Sequence, residues 1–298
     1  MSRHFTILGI PWDMGASLGR PGARYAPKAV REHMQWFLRR IHDGKIYDVE
    51  RNRLVDMSAV TIDDAGDLEL QYSDEAASLE IMRKAAEKVF QKDSVLMAIG
   101  GDHSISWPLI QALHDVKDEP IGLIQFDAHL DLLDENFAQG RFSQSSEIFR
   151  AIELEHIDPR HVVQIGVRSY NYPEAYELVK ETGIVQYTPW SLREKGTLRA
   201  AREILDIFDT SGCRIIYLTL DIDVLDPAFA PGTGADEPDG LFPEELFRML
   251  EAFAPRIAAF DVAEVNPVFD THGMTSAVAA KAMFATMVNA GATCGGCM

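Results

Sequence analysis

The feature of this sequence that most constrains its fold is a regular alternation of short apolar runs with longer amphipathic segments. The apolar runs predict buried strands at residues 5–10, 95–99, 121–126, 162–167, 215–220 and 257–260, with weaker candidates at 54–57 and 184–187. The amphipathic segments predict helices at 27–40, 74–91, 104–114, 173–182, 198–208, 243–253 and 274–290, with Ser73 and Thr197 as N-caps. Because parallel neighbours need crossover connections, this order predicts an α/β fold with a mainly parallel sheet and helices on both faces.

No linker, repeat or low-complexity segment interrupts the alternation, so we expect one domain over residues 1–298. The chain carries 28 Lys and Arg against 46 Asp and Glu, a net charge of −18, which argues against nucleic-acid and membrane partners. No apolar run reaches the length of a membrane span and no secretory signal is visible near Met1. We therefore expect a cytoplasmic protein.

The three cysteines, Cys213, Cys294 and Cys297, are too few for a disulfide framework and fit a reducing compartment. Cys294 and Cys297 enclose two glycines, a spacing that metal and redox sites also use. A zinc site needs two more ligands, and none is near in sequence. We interpret this segment as an ungrouped tail.

Ligand-type residues follow four of the predicted strands, and in parallel sheets ligands bind at the carboxyl ends of the strands. These residues are His103, Asp127, His129, Asp131, Asp221, Asp223 and Glu264. Residues two apart in an extended segment point to the same side, so Asp127, His129 and Asp131 should converge. Burying several acids without a cation is costly. The pattern therefore predicts a pair of divalent cations, and mixed nitrogen and oxygen ligands suit Mn²⁺, Ni²⁺, Fe²⁺ or Zn²⁺.

The segments around these residues resemble the signature segments of the ureohydrolases, the arginase and agmatinase family. They read Gly-Gly-Asp-His-Ser at 100–104, Asp-Ala-His-Leu-Asp at 127–131, Leu-Asp-Ile-Asp-Val-Leu-Asp-Pro at 220–227 and Glu-Val-Asn-Pro at 264–267. The segments 9–13 and 20–24 with Pro27 resemble the family's N-terminal segment, and 231–234 resembles its substrate loop. The resemblance spans nearly the whole chain and favours the agmatinase-like branch.

The resemblance implies a three-layer α/β/α fold with an eight-stranded, mainly parallel sheet, and a homotrimer or homohexamer. It implies two Mn²⁺ ions, with Ni²⁺ as the competitor, and hydrolysis of a guanidino group to urea and an amine. The implied ligands are His103, Asp127, Asp131 and Asp221 for one ion, and Asp127, His129, Asp221 and Asp223 for the other. Two such ions lower the pKa of a shared water, and Glu264 is the candidate that holds the planar guanidinium through paired hydrogen bonds.

The resemblance breaks at Gln144, within the segment Phe-Ser-Gln-Ser-Ser-Glu at 142–147. Most agmatinase-like members carry a histidine at this position, which is interpreted as a proton shuttle. An amide does not titrate near pH 7, so this role is in doubt. Three explanations stay open: another group donates the proton, Gln144 recognises an unusual substrate, or the chain is a non-catalytic or weakly active subunit that partners an active paralogue.

The loop at 132–141 does not match the loop with which arginine-specific members recognise the amino acid. Agmatine or another guanidino compound without an α-carboxylate is therefore the favoured substrate. The acidic residues Asp236, Glu237 and Asp239 would attract a cationic tail, although a plain surface loop is the alternative. Hydrolysis of formimidoyl-glutamate is the nearest other enzyme function. It would need a cation for the substrate carboxylate, for which Arg141 and Arg168 are the candidates.

Overall fold

The computed structural model describes residues 2–15 and 19–291 of the chain. Its centre is a sheet of eight strands: β1 (Arg3–Gly9), β4 (Val60–Asp67), β5 (Val95–Ile99), β6 (Ile121–Phe126), β7 (Val162–Ile165), β8 (Val185–Tyr187), β9 (Ile215–Asp221) and β10 (Ile257–Ala263). The strand order is β4-β1-β5-β10-β9-β6-β7-β8, and every pair of neighbours is parallel. The predicted parallel sheet is thus confirmed.

Helices cover both faces of this sheet and complete three layers. They are α1 (Ala26–Leu38), α2 (Glu75–Phe90), α3 (Ser106–Val116), α4 (Glu147–Ala151), α5 (Pro173–Thr182), α6 (Pro189–Lys195), α7 (Thr197–Ser211), α8 (Pro243–Phe253) and α9 (Met274–Gly291). Strand side chains alternate between two apolar cores: Ile7 and Met97 belong to the core under α1, α7, α8 and α9, and Leu8 and Leu96 to the core under α2 and α3. This alternation is the two-residue period of a strand that is buried on both faces.

The strand order explains why the ligand-type residues lie close together. The strands β5, β10, β9 and β6 are consecutive neighbours in the middle of the sheet. All four run in the same direction, so their carboxyl ends meet at one edge. The segments that follow them contain the seven ligand-type residues of the sequence prediction, which places those residues on adjacent strand ends.

The strand predicted at 54–57 is present as β3 (Arg53–Asp56), but it pairs with β2 (Lys45–Asp48) in a separate antiparallel hairpin, and the sheet's remaining strand is β4. Two N-cap predictions are wrong. The N-cap of α2 is Asp74 and not Ser73, because the Asp74 carboxylate accepts from the backbone N–H of Ala77 at 3.0 Å. Thr197 is the first residue of α7, whose N-cap is Gly196, a glycine that also ends α6.

The short helices α4 and α6 were not predicted, because neither is long enough to show a helical period. None of the helices in the described part of the chain is long and apolar enough to cross a membrane. Cys294 and Cys297 lie outside the described residues, and their interpretation stays a prediction. Cys213 is buried.

Candidate active site

A cavity of about 410 Å³ opens at the carboxyl edge of the sheet. Its floor contains predicted site residues, namely His129, Asp131, Asp221, Asp223 and Glu264. Its walls come from loops after the strands and include Asn136, Gln144, Tyr172, Asp236 and Glu237. The structure thus brings together five of the predicted residues from three different strand ends, and it adds Gln144 to the same space.

His103 lies directly behind this floor, in a turn that a glycine makes possible. The backbone N–H of Asp102 donates to the Trp12 carbonyl at 2.8 Å. A Cβ atom on Gly101 would stand 1.4 Å from that same oxygen, so only glycine permits the approach. This contact fixes the segment that leads from β5 into the short 3₁₀ turn His103–Ile105.

The orientation of the His103 ring is fixed by polar residues inside two neighbouring strands. Thr219 and Asp261 are partners in the β9–β10 register, and the Thr219 hydroxyl donates to Asp261 Oδ1 at 2.8 Å. That hydroxyl therefore accepts from His103 Nε2, which is 2.7 Å away. The other ring nitrogen, Nδ1, faces the carboxylates, and in the neutral ring its lone pair would be available to a metal ion.

His103 belongs to an inner group of potential ligands together with Asp127, Asp131 and Glu147, whose donor atoms all lie within 4.8 Å of one another. All four side chains are buried. His103 Nδ1 is 3.0 Å from both Asp127 Oδ2 and Asp131 Oδ2, yet it makes no hydrogen bond with acceptable geometry in the described structure. A divalent cation between these atoms would satisfy that nitrogen, and one imidazole with several carboxylates suits a first-row ion.

A second, outer group consists of Asp127, His129 and Asp223, again within 4.8 Å of one another. His129 Nδ1 lies 3.1 Å from Asp223 Oδ2 and 3.4 Å from Asp127 Oδ1, and the ring is 34% exposed toward the cavity. Asp127 contributes one oxygen to each group. Asp127 therefore has the position expected of a carboxylate that bridges two adjacent cation sites.

Asp221 stands beside the inner group and belongs to neither set of mutually close atoms. Its Oδ2 is 3.4 Å from His103 Nδ1, and its Oδ1 accepts from the backbone N–H of Asp223 at 2.8 Å. The bridging role of Asp221 stays a prediction.

The carboxylates of the inner group are held by a ladder of glutamines across three strands. Gln125, Gln164 and Gln186 are neighbours in the β6–β7–β8 register. Gln186 Nε2 donates to Gln164 Oε1 at 2.7 Å, and Gln164 Nε2 donates to Gln125 Oε1 at 2.6 Å. The amide of Gln125 must then direct Nε2 outward, where it donates to Asp127 Oδ2 at 2.8 Å and Asp131 Oδ2 at 3.2 Å.

The shifted pKa values of the site residues indicate that the clustered carboxylates require positive charge beside them. Burial and the neighbouring Asp127 raise the pKa of Asp131 to about 6. Burial also raises the pKa of Asp221 well above its usual range, with Asp223 and Asp127 adding to the effect. Burial opposes the charging of His129, but the carboxylates of Asp223 and Asp127 prevail and raise its pKa. In the absence of a cation the cluster therefore retains protons, whose charge a divalent ion would replace.

Glu264 occupies a left-handed backbone conformation, with φ of 59°, directly after β10. This conformation is uncommon for a residue other than glycine and often marks functional positions. Its Oε1 accepts from the backbone N–H of His103 at 2.9 Å, and the side chain faces the cavity. The carboxylate is thus fixed beside the two ligand groups, where it is able to meet a guanidinium.

The three acidic residues of the loop at 236–239 do not share one environment. Asp236 and Glu237 line the cavity, and Asp236 Oδ2 pairs with Arg20 Nη1 at 3.1 Å. Asp239 does not line it, because its carboxylate accepts from Trp190 Nε1 and pairs with Arg193. The prediction for Asp239 is therefore wrong.

Arg141 and Arg168 are not placed to bind a substrate carboxylate, and neither lines the cavity. Arg168 donates to backbone carbonyls that include those of Asp223 at 2.8 Å and Gly166 at 3.0 Å. Arg141 is half exposed and pairs with Asp134 at 3.1 Å. One guanidinium stabilises loops and the other forms surface ion pairs, so these two assignments are wrong.

Glu147 is the potential ligand that sequence reasoning missed. It lies in the same segment as Gln144 and begins α4. An acidic residue at the start of a helix is usually explained by its favourable interaction with the helix dipole. The sequence therefore offered no reason to consider Glu147 as a ligand. Its burial follows from how α4 packs, and no motif indicates it.

Comparison with known proteins agrees with this geometry. A sequence model of the arginase family matches residues 3–288. The chain is 33% identical to guanidinopropionase of Pseudomonas aeruginosa, over 93% of this chain and 84% of that protein. It is 32% identical to agmatinase of Bacillus subtilis, over 92% and 88%.

Among solved structures, formimidoylglutamase of Bacillus subtilis superposes with a TM-score of 0.84 and 28% identity, over 96% of this chain and 87% of that one. The match of a family model to almost the whole chain, the identity above 30% over most of each relative and the shared fold agree with one another. The chain therefore belongs to the arginase family, in its agmatinase-like branch of metal-dependent hydrolases.

Proposed function

We propose that this protein is a two-metal amidinohydrolase that cleaves the guanidino group of agmatine, or of a related guanidine without a carboxylate, to urea and an amine. The observation that carries the proposal is the pair of ligand groups that share Asp127 at the floor of an acidic cavity. Water adds to the guanidino carbon, the bond from that carbon to the alkyl nitrogen breaks, and the departing amine takes a proton.

The ligand groups support a pair of divalent ions, for which we propose Mn²⁺ with Ni²⁺ as the alternative. His103, Asp127 and Asp131 would hold the inner ion and Asp127, His129 and Asp223 the outer one, with Asp221 beside both. When bound, such ions supply Lewis-acid stabilisation of developing negative charge and lower the pKa of a water molecule.

The walls of the cavity support a cationic substrate. None of the described residues that line the cavity is a lysine or an arginine. Glu264 would hold the guanidinium at the floor through charge-assisted hydrogen bonds, which fix a planar cation in orientation as well as position. Glu237 would attract an amine at the far end of the substrate, with less contribution from Asp236, because the Asp236 carboxylate already pairs with Arg20. A carboxylate at that end, as in formimidoyl-glutamate or arginine, would meet negative charge instead.

Gln144 lines the cavity. By the resemblance, it occupies the position at which most agmatinase-like members carry the shuttle histidine. Gln144 is able to donate and to accept hydrogen bonds, but it does not titrate near neutral pH. We propose that Gln144 contributes to substrate recognition, and that another group protonates the leaving amine.

The remaining parts of the proposal are the quaternary and cellular setting. We propose one domain over residues 1–298, a homotrimer or homohexamer, and a cytoplasmic location. The uninterrupted alternation of strands and helices supports the single domain, the small number of cysteines supports the location, and the assembly rests on the family resemblance alone.

The deciding experiment is a urea-release screen of protein loaded with Mn²⁺ or Ni²⁺. Wild type and Gln144→His are assayed on agmatine, arginine, guanidinobutyrate, guanidinopropionate, simple guanidines and formimidoyl-glutamate, with formamide measured for the last compound. We expect urea from agmatine or another carboxylate-free guanidine. If Gln144 binds the true substrate, Gln144→His lowers its turnover; if a shuttle has been lost, the same change raises urea release from agmatine. Silence of both proteins on every compound, with two ions bound, would favour the non-catalytic subunit.

A further inference from the structure

Glu147 is a buried acid in the metal cluster, and one of its two carboxylate oxygens has no hydrogen-bond partner among the described residues. It is the first residue of α4 and is fully buried. Its Oε1 lies 3.6 Å from His103 Nδ1 and 3.5 Å from Gln125 Nε2, and its Oε2 has no hydrogen-bond partner among the described residues. A buried polar atom without a partner is uncommon and calls for a ligand.

Glu147 Oε2 and His103 Nδ1 are both buried without a hydrogen-bond partner among the described residues, and their two residues belong to the inner group. Both residues are buried, and the pair is completed by Asp127 and Asp131 within the same 4.8 Å. Three carboxylates and one imidazole form a complete set of ligands for a single divalent cation. The outer group has one carboxylate fewer and a histidine that faces the cavity.

We propose that Glu147 is an additional carboxylate ligand of the inner ion and makes the two metal sites unequal in affinity. The inner ion is then bound tightly and away from solvent, while the outer ion, at the cavity, exchanges more readily and keeps positions open for substrate. This inference rests on the proposed function, because it assumes that both ions bind.

The proposal predicts opposite effects on metal binding and on the stability of the metal-free protein. Glu147 Oε2 is buried without a partner, which opposes folding; Met in place of Glu147 relieves that penalty, and Gln leaves it about the same. If Glu147 served only the packing of α4, its removal would instead destabilise the metal-free fold and leave metal binding unchanged. The two roles are therefore separable by two measurements on the same variants.

The test is calorimetric titration of metal-free full-length protein with Mn²⁺, for wild type, Glu147→Gln and Glu147→Met. Gln keeps the shape of the side chain, and Met fills similar space without oxygen ligands. We expect wild type to bind two ions in resolved steps, and the variants to lose affinity in the tighter step by about tenfold or more. Glu153→Gln is the matched control, since Glu153 follows the same helix but is half exposed and pairs with Arg141 and Arg150 outside the metal cluster.

Urea unfolding of the metal-free proteins gives the second readout, and we expect both variants to be as stable as wild type or more stable. Two unchanged binding steps in the variants would overturn the inference alone and leave the proposed function standing. Loss of metal-free stability in both variants, including failure to fold, would also overturn it and assign Glu147 to packing. A wild-type protein that binds no Mn²⁺ would overturn the proposed function and the inference with it.

Discussion

Replacing Thr219 with valine isolates the part of the site that orients His103. The side chain keeps its shape and loses only the hydroxyl, which accepts from His103 Nε2 at 2.7 Å and donates to Asp261 Oδ1 at 2.8 Å. In this variant Asp261 still accepts hydrogen bonds from Ser106 Oγ, at 3.0 Å, and from the Tyr217 hydroxyl. His103 loses its ring N–H acceptor, so nothing fixes which nitrogen carries the proton or how the ring is turned.

The expected magnitude follows from these contacts. Removing a residue that orients a metal-ligating histidine weakens metal affinity by about 10- to 100-fold, which equals about 1.4 to 2.8 kcal/mol. An unpartnered N–H in this buried position also destabilises the fold by about 1 to 3 kcal/mol. Both effects should appear together in Thr219→Val, because one hydroxyl serves both.

The assay is competition of the protein with a chelator for Mn²⁺, combined with urea unfolding of the metal-free form. Thr286→Val is the matched control: Thr286 is also buried, and its hydroxyl donates to the Ala282 carbonyl at 2.9 Å within α9. The control should lose some stability and keep the metal affinity of wild type. If Thr219→Val binds Mn²⁺ as tightly as wild type, the hydroxyl does not set the orientation of His103 and the reasoning is refuted.

Further predictions concern the bridge, the substrate, the buried thiol and the assembly. Asp127→Asn should weaken both Mn²⁺ steps in calorimetry, because Asp127 belongs to both ligand groups, whereas Asp223→Asn should weaken one; equal effects would contradict the bridge. Glu237→Gln should raise KM for agmatine several-fold with little change in kcat, and an unchanged KM would exclude Glu237 from amine recognition. Burial raises the pKa of Cys213 to about 11, so at pH 8 only about one thiol in a thousand is ionised and iodoacetamide should label it only after unfolding, as read by peptide mass spectrometry. Light scattering should find a trimer or hexamer, and a 33.2 kDa particle at micromolar concentration would reject the assembly.

The strands could be predicted from the sequence where burial determines which residue types are present. The strand β5 is an uninterrupted apolar run, β6 is an apolar run with only Gly122 and Gln125 inside it, and the predicted bounds of both agree with the structure. The edge strand β4 was missed because most of its residues are exposed and include Asp63, Asp64 and Asp67. An edge strand has one face and one rim in water, so neither apolar content nor a clean period marks it.

For the site, the position of a ligand-type residue could be predicted where that residue directly follows a strand, since the parallel topology then fixes its place; the roles of these residues stay predictions. Prediction failed where the placement depends on packing between distant segments. Glu147 is buried where α4 packs against α3, and the Arg168 guanidinium donates to backbone carbonyls. No local sequence pattern indicates either fact. Gln125, Thr219 and Asp261 did leave a signal, since each is a polar residue inside a buried strand. Such residues need partners, and here those partners orient the ligands.

The most direct test of the central claim is the metal content of the protein purified without chelator and then loaded with Mn²⁺ or Ni²⁺. Two ligand groups that share Asp127 predict close to two equivalents per chain, as measured by inductively coupled plasma mass spectrometry after desalting. Asp127→Asn, measured beside it, should retain far less of either metal. A wild-type content that stays near zero with both metals would contradict the two-metal site and the hydrolase built on it.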